Sequence, residues 1–334
     1  MMKAIFLCDC PENISRAFDK KTKEALRKSL GLSDTVYKKA DVLSAKNLFC
    51  DVEFIFSTWG MPIFSETEIE KCFPRLLCVF YAAGSVQAFA RPFLRKGVKV
   101  FSAWAANAVP VAEMTVAEIV LANKGFFASS RLCKAEKREK AGEFFRKCRG
   151  NYSETVGIIG VGMIGRLVIK MLASYDLNVI VFDPFLSDGE ADLLGVRKCS
   201  LDEVFETAFV VSNHLANNKE TRGMLNYRLF SKMRENAVFI NTGRGAQVVE
   251  SDLCRILSER PDLSALLDVT DPEPSVAGHP FYSLPNCILT PHIAGSAGNE
   301  VARMGQYIQT ECEAFLKNEA THYEVTEKML ETMA

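Results

Sequence analysis

Apolar runs of strand length alternate with helical patterns through most of the chain. In the first third, apolar runs cover residues 4–7, 52–58, 76–81 and 98–102, and helical patterns between them include residues 21–30 and 66–72. Such alternation is typical of a parallel β-sheet covered by α-helices. The first third therefore predicts one α/β domain.

A second alternating series follows. Strands are predicted at residues 155–159, 178–182, 209–212, 237–241, 264–268 and 287–290, with helices that include residues 163–175 and 251–260. Six strands separated by helices form the pattern of a doubly wound sheet. Residues 298–334 are helical in pattern and offer no strand, so we expect them to fold back onto the first domain. The expected domains are residues 1–105 with 299–334, and residues 106–298 inserted between them.

The stretch between the two series has an apolar part and a charged part. Residues 108–124 are almost continuously apolar, which predicts a long buried helix and favours a subunit interface, in a homodimer, over an intrachain core. Residues 131–152 are charged and are predicted to be irregular. No apolar run approaches the ~20 residues of a membrane span, so we expect none.

The composition adds few constraints. The chain has 334 residues, with 48% hydrophobic and 24% charged residues, which suits a soluble protein of two domains. Lys plus Arg number 40 and Asp plus Glu number 41, so a net charge of −1 gives no reason to expect nucleic acid or an anionic membrane as partner. The 11 cysteines show no metal-binding spacing, and Cys8 and Cys10 form the one close pair. We therefore expect reduced thiols, no metal, no secretory signal and a cytoplasmic location.

One glycine-rich turn carries the first chemical signal. Gly160-Val-Gly-Met-Ile-Gly165 follows a predicted strand and opens a predicted helix. The first glycine allows a tight turn, the second lets the backbone approach a pyrophosphate, and the third lets the helix pack on the strand. A packing role alone is the alternative, but Asp183 ends the next strand, where a carboxylate accepts hydrogen bonds from a ribose diol. The turn therefore predicts a dinucleotide site.

Asp183 also favours NAD over NADP. Its carboxylate would repel a 2′-phosphate, and Pro184 and Phe185 follow it without an arginine that would neutralise the charge. The expected cofactor is NAD.

Three polar residues follow the turn in a fixed order. They are Arg244 in Asn241-Thr-Gly-Arg-Gly245, Glu273 in Asp271-Pro-Glu-Pro274, and His292 in Thr290-Pro-His-Ile-Ala-Gly295. A guanidinium holds a carboxylate with a rigid fork, an imidazole moves a proton, and a carboxylate orients and stabilises an imidazolium. Each residue alone also suits a plain role, as a surface ion pair, a turn residue or a loop cap. Together they predict hydride transfer to or from a substrate that bears a carboxylate.

In this order and spacing, the three residues resemble the D-isomer-specific 2-hydroxyacid dehydrogenases. The resemblance also includes Asn107-Ala-Val-Pro-Val-Ala-Glu113 and residues 214–221, 241–245, 268–274 and 291–296, and it is weaker in residues 1–75. It implies a Rossmann cofactor domain inserted in a flavodoxin-like substrate domain. It also implies an NAD-dependent oxidoreductase for a small 2-hydroxy acid and 2-oxo acid pair. In this reaction His292 would move the proton and Glu273 would tune His292. Arg244 would bind the substrate carboxylate and carbonyl oxygen.

The resemblance implies further site residues. Backbone N–H groups of Ala83, Gly84 and Ser85 would hold the substrate carboxylate. Other positions would bind the cofactor: pyrophosphate at the turn, adenosine near residues 215–221, the nicotinamide ribose near residue 242, and its carboxamide at residue 268. That set comprises Gly160, Gly162, Met163, Ile164, Gly165, Asp183, Leu215, Ala216, Thr221, Thr242, Gly243, Asp268, His292 and Gly295.

The chain departs from the family pattern at two places. Val86-Gln-Ala-Phe89 stands where acidic or amide residues are frequent, and Ala216 stands where proline is common. The first departure leaves the 2-hydroxy acid open. Among the histidines outside the trio, His214 is expected to be structural because it follows a buried strand, and His279 and His322 receive no role.

Two other functions stay open. A formate-type or phosphite-type dehydrogenase would oxidise a small anion on a similar fold. A non-catalytic regulator that senses NAD(H) is the second, since a fold does not fix a function.

Overall fold

The computed structural model of the protein describes residues 3–331. The chain divides into two compact units. The first ends at Ala108 and resumes at Ser296, and the second runs from Val109 to Gly295.

The strands and helices of the described residues follow the alternation in the sequence. The strands are β1 (Lys3–Leu7), β2 (Val36–Tyr37), β3 (Val52–Ser57), β4 (Cys78–Tyr81), β5 (Lys99–Ser102), β6 (Tyr152–Ile159), β7 (Asp176–Phe182), β8 (Arg197–Lys198), β9 (Val210–Asn213), β10 (Val238–Asn241), β11 (Ser264–Leu267), β12 (Cys287–Leu289) and β13 (Glu324–Val325). The helices are α1 (Pro11–Ala17), α2 (Lys20–Leu30), α3 (Lys39–Ser44), α4 (Glu66–Cys72), α5 (Ala90–Arg95), α6 (Trp104–Asn123), α7 (Phe126–Lys134), α8 (Arg138–Lys147), α9 (Met163–Leu172), α10 (Asp188–Leu194), α11 (Leu201–Thr207), α12 (Tyr227–Phe230), α13 (Glu250–Glu259) and α14 (Glu300–Leu316).

The first unit contains one sheet in the order β13-β5-β4-β3-β1-β2. Strands β1 to β5 pair in parallel, and β13 pairs antiparallel with β5 at the edge. Aromatic side chains fill the interior of this unit; Phe56 and Phe101 both stack on Phe80, with ring centroids 5.1 and 4.9 Å away. The parallel order β2-β1-β3-β4-β5 is that of a flavodoxin-like sheet.

The expectation that residues 298–334 offer no strand is wrong. The segment Glu324–Val325 pairs with β5, and Glu311 of α14 fixes the approach by accepting the N–H groups of His322 and Tyr323, both at 2.9 Å. Strand β13 has two residues and starts with a glutamate, so it has no apolar run by which it could be predicted from the sequence.

The second unit contains a seven-stranded parallel sheet in the order β12-β11-β10-β9-β6-β7-β8. Six of these strands match the predicted ones. The seventh, β8, is an edge strand of two exposed basic residues, and a strand of this kind has no apolar pattern in the sequence. The strand order reverses between β6 and β9, and in a doubly wound sheet ligands bind outside the carboxyl ends of the strands at that point. The second sheet is parallel and the first is parallel apart from β13, and the two confirm the predicted fold class.

Helix α6 corrects a prediction about apolar length. It has 20 residues and is, by length and composition, apolar enough to cross a membrane. Polar residues such as Thr115 and Glu118 divide α6 into shorter apolar runs, so its full apolar length is not apparent from the sequence. Length and composition alone do not separate a membrane span from a core helix, and Ala112, Ile119 and Ala122 of α6 belong to the buried core of the second unit.

The prediction that residues 131–152 are irregular is also wrong. Most of it lies in α7 and α8, each of which buries one alanine, Ala128 and Ala141. Charged residues cover the remaining faces, so the stretch lacks the apolar content that identifies a helix in the sequence.

Candidate functional site

The glycine turn lies at the carboxyl end of β6. Gly160 has φ +88°, and a Cβ atom there would lie 2.6 Å from the carbonyl oxygen of His214. A Cβ at Gly165 would lie 2.1 Å from the carbonyl oxygen of Gly160, so helix and turn pack at backbone contact. Around Gly162, the N-cap of α9, a Cβ would meet nothing within 4 Å. The N–H groups of Met163 and Ile164 are in the first turn of α9, where helical N–H groups lack helical acceptors and attract anions.

Asp183 follows β7 and is fixed beside this turn. Its Oδ2 accepts a hydrogen bond from the N–H of Val161 at 2.7 Å, and its Oδ1 accepts one from the N–H of Phe185 at 2.8 Å. A carboxylate oxygen has two lone pairs, so this arrangement leaves capacity for a diol. The structure therefore brings the acid and the glycine turn together.

The loop after β9 is held by a buried glutamine that the sequence analysis missed. Gln247 donates from Nε2 to the carbonyl oxygens of Leu215 at 2.6 Å and Ala216 at 3.0 Å. Its Oε1 accepts from the N–H of Arg244 at 3.3 Å, and Thr221 adds a hydrogen bond to the Ala216 carbonyl oxygen at 2.6 Å. Gln247 thus joins the loop that contains Leu215, Ala216 and Thr221 to the turn that contains Arg244.

That turn follows β10. The hydroxyl of Thr242 lies 3.1 Å from the hydroxyl of Thr115 on α6, and the N–H of Gly243 donates to Asn241 Oδ1 at 3.1 Å. Arg244 Nη1 donates to the Gly243 carbonyl oxygen at 2.8 Å, which orients the half-buried guanidinium. Burial lowers the pKa of Arg244, and the nearby Glu273 carboxylate opposes that shift. An arginine side chain is not deprotonated in proteins, so the guanidinium keeps its positive charge at neutral pH.

His292 and Glu273 form a hydrogen-bonded pair. His292 Nδ1 lies 2.6 Å from Glu273 Oε1, and the two side chains are 44% and 39% exposed. The backbone of His292 has φ +54°, a left-handed conformation that is uncommon outside glycine and that occurs at functional sites. The pair is accessible to a small molecule.

Asp268 shapes the loop that bears His292. Its carboxylate accepts from the N–H of Ile293 and of Ala294, both at 2.8 Å, and from the Thr290 hydroxyl at 2.7 Å. Its carbonyl oxygen also accepts the N–H of His292 at 3.0 Å. Gly295, the last residue of the second unit, closes this loop.

The other predicted binding loop belongs to the first unit. Ala83, Gly84 and Ser85 follow β4, and Ser102 Oγ donates to the carbonyl oxygens of Ala83 at 2.9 Å and Gly84 at 2.5 Å. Within residues 3–331, the backbone N–H groups of these three residues donate to no protein acceptor. They are available to an anion.

Two remaining expectations concern His214 and metals. His214 is buried with Nε2 2.9 Å from the Ser212 hydroxyl, and burial lowers its pKa to about 4, which fits a structural role. Across the described part of the chain, no three His, Cys, Asp or Glu residues lie close enough to hold a metal ion. The eleven cysteines are free thiols.

Comparison with known proteins places the chain in a family. Residues 120–294, just over half of the chain, match the family described as D-isomer specific 2-hydroxyacid dehydrogenase, NAD binding domain. The chain therefore belongs to the D-isomer-specific 2-hydroxyacid dehydrogenase family, and its second unit is an NAD-binding domain.

Relatives share part of their length with the chain. YoaD of Bacillus subtilis is 34% identical over 206 residues, which are 60% of this chain and 59% of YoaD. D-3-phosphoglycerate dehydrogenase of Archaeoglobus fulgidus is 30% identical over 64% of this chain and 40% of its own. Glyoxylate reductase of Thermofilum pendens is 30% identical over 63% of this chain and 62% of its own. The matched stretch thus spans about 40–60% of these relatives.

Among solved structures, a phosphoglycerate oxidoreductase from Rhizobium etli superposes with a TM-score of 0.82 at 19% identity, over 99% of this chain and 100% of that one. At such identity the likeness supports the fold alone.

Proposed function

We propose that the protein is an NAD-dependent 2-hydroxyacid dehydrogenase that interconverts a small 2-hydroxy acid and its 2-oxo acid. The hydrogen bond of 2.6 Å between His292 Nδ1 and Glu273 Oε1, next to a dinucleotide fold, carries the proposal. A regulator that only senses the cofactor has no need for an accessible pair of this kind.

Each residue has a distinct part in the reaction. The cofactor, when bound, supplies or takes up the hydride. His292 has Nδ1 occupied by Glu273, so Nε2 is the ring nitrogen that gives a proton to the ketone oxygen in reduction and takes it back in oxidation. Glu273 stabilises the imidazolium and fixes the ring.

Two donor groups suit the substrate carboxylate. Arg244 offers a guanidinium already oriented by the Gly243 carbonyl oxygen, which is a bidentate partner for carboxylate and carbonyl oxygens. The free N–H groups of Ala83, Gly84 and Ser85 offer a second, uncharged set. A substrate without a carboxylate leaves these donors unpaired.

We further propose that NAD is preferred over NADP. The Asp183 carboxylate, held by the N–H groups of Val161 and Phe185, would accept the ribose diol and repel a 2′-phosphate. Asp183→Ser should narrow the difference in kcat/KM between NADH and NADPH. A wild-type preference for NADPH would refute the assignment.

A substrate panel tests the proposed function. NADH consumption is followed with glyoxylate, hydroxypyruvate, pyruvate, phenylpyruvate and branched 2-oxo acids, and NAD reduction with D-3-phosphoglycerate and formate. Turnover of at least one 2-oxo or 2-hydroxy acid supports the proposal. Formate oxidation alone indicates the formate-type alternative, and NADH binding without any turnover indicates the sensor.

The proposal extends to cellular context. Eleven free thiols support a cytoplasmic location, where thiols stay reduced. The near-neutral net charge of −1 supports a protein without nucleic-acid or membrane partners. Fractionation of the native cell tests both.

A further inference from the structure

The second unit contains another histidine–carboxylate pair, for which neither the sequence nor the proposed reaction has a role. His279 Nε2 lies 3.3 Å from Glu250 Oε2, and the two side chains are 16% and 13% exposed, against 44% and 39% for His292 and Glu273. His279 Nδ1 accepts from the N–H of Phe281 at 3.3 Å. A neutral ring therefore carries its proton on Nε2, the nitrogen that faces Glu250.

Glu250 connects two segments that carry proposed catalytic groups. It is the first residue of α13, just after the turn that contains Arg244. Its Oε1 accepts from the N–H of Asp271 at 2.8 Å, in the loop that contains Glu273. Burial raises the pKa of Glu250. The hydrogen bond from the Asp271 N–H and the charge of His279 lower this pKa, and the Asp271 carboxylate raises it.

The same two segments also meet at their backbones. A Cβ at Gly245 would lie 2.0 Å from the carbonyl carbon of Thr270, so the turn and the loop are in direct contact there. His279 contacts Glu250 and packs against the buried Phe281, with the two ring centroids 4.5 Å apart. The loop is thus held at Thr270 and Asp271, next to Glu273.

We propose that Glu250 and His279 form a positioning clamp that holds the Glu273 loop against the Arg244 turn. The clamp rests on the proposed function, since it would act on the reaction through Glu273 and His292. The reason for such a clamp is the exposure of the catalytic pair: a half-exposed pair such as His292 and Glu273 supplies little free energy to hold its two loops together. A buried contact behind the loop supplies the constraint that keeps the pair within hydrogen-bonding distance.

Histidine NMR tests the clamp without relying on turnover. The chain has four histidines, so ¹⁵N-histidine labelling lets each ring be followed, with His279→Gln and His292→Ala for assignment. We expect the Nε2–H form of His279 in the wild type. Glu250→Ala should change the His279 signals and, at the same pH, the ¹⁵N shifts of the His292 ring, because Glu273 is no longer held beside that ring. Glu250→Gln keeps an acceptor for Asp271 and should have a smaller effect.

A matched control lies on the same helix. Glu259 at the other end of α13 contacts the Tyr227 hydroxyl at 2.6 Å and Arg255 Nε at 2.8 Å. Glu259→Gln should leave the ¹⁵N shifts of the His292 ring unchanged. A shift as large as that in Glu250→Ala would show a general effect of the helix and overturn the clamp.

Two variants of His279 keep the test decisive if Glu250→Ala does not fold. His279→Phe keeps a ring against Phe281 and removes the polar contact with Glu250, so it should change the ¹⁵N shifts of the His292 ring. His279→Gln keeps a polar group there and should change them less. Equal His292 shifts in His279→Phe and the wild type would overturn the clamp.

Kinetics separate this inference from the proposed function. With an active substrate, Glu250→Ala should reduce kcat roughly tenfold to 100-fold and leave the KM for NADH unchanged. A wild type without turnover would refute the proposed function, while a change of the His292 ring signals in Glu250→Ala would still stand. An active wild type with unchanged His292 ring signals in Glu250→Ala would refute the clamp alone.

Discussion

His292 and Glu273 lie 2.6 Å apart, and a carboxylate at that distance fixes the orientation of the ring and balances the charge that the ring carries during proton transfer. Glu273→Gln keeps the shape but not the charge, so it should lower kcat by about 100-fold in reduction and in oxidation. Steady-state kinetics in both directions measure the effect. A Glu273→Gln variant with the kcat of the wild type would show that Glu273 does not act on His292.

Arg244 is the second residue with a direct prediction. Arg244→Lys keeps the positive charge but loses the planar fork oriented by the Gly243 carbonyl oxygen. We expect a loss of about 100-fold in kcat/KM for the 2-oxo acid, roughly 3 kcal/mol. The methyl ester of the same acid should be a poor substrate for the wild type. Equal turnover of ester and free acid would show that neither Arg244 nor the loop at Ala83 binds the substrate carboxylate.

The residues that could be predicted from the sequence are those with motif spacing. Arg244, Glu273 and His292 follow a recognisable glycine turn in a fixed order, and the structure brings Glu273 to both of the others. Gln247 and His279 could not be predicted, because each acts between loops that meet only after the strands align. A single buried glutamine or histidine has no spacing that indicates which loops it will join.

Helix α6 contains a carboxyl group whose ionisation should affect stability. Burial, and then the charge of Asp268, raise the pKa of Glu118 to about 7, and its Oε2 is buried without a partner. In the unfolded chain this pKa returns toward ~4.3. A raised folded pKa means that the folded state holds the proton more tightly, so stability falls as pH rises from about 4.3 to about 7 and then stays level.

Glu118→Gln should remove this penalty. At pH 8 the free energy of unfolding should exceed that of the wild type by an order of 1–3 kcal/mol, allowing for partial exposure. At pH 4 the two proteins should differ little, since Glu118 is then neutral in the folded state and mostly protonated in the unfolded chain. Denaturant unfolding at both pH values measures the difference. A gap that is the same at pH 4 and pH 8 would contradict the buried ionisation.

Elements were predictable where they bury apolar side chains. The four longer strands of the first sheet and six of the second appear as apolar runs, because buried parallel strands are apolar on both faces. β2, β8 and β13 have two residues each, lie at sheet edges, and depend on pairing rather than on pattern. Helices α7 and α8 escaped detection because charged faces dominate their sequence.

For the whole molecule, we predict a homodimer. Helices α6, α7 and α8 leave Leu121, Phe126 and Phe145 exposed by 39%, 51% and 55%, and exposed apolar side chains of this size favour association. Light scattering at micromolar concentration should give twice the chain mass of 37.1 kDa. Leu121→Lys should shift the equilibrium toward the single chain, and a wild type that shows only the 37.1 kDa species would refute the dimer.

The proposed reaction needs His292 to move the proton while hydride passes between bound NAD(H) and the 2-oxo or 2-hydroxy acid. The most direct measurement compares wild type and His292→Ala in NADH oxidation with the best 2-oxo acid, alongside NADH binding. We predict that His292→Ala loses about 10²–10⁴-fold in kcat while NADH affinity is retained. A His292→Ala variant that reduces the 2-oxo acid as fast as the wild type would contradict the account.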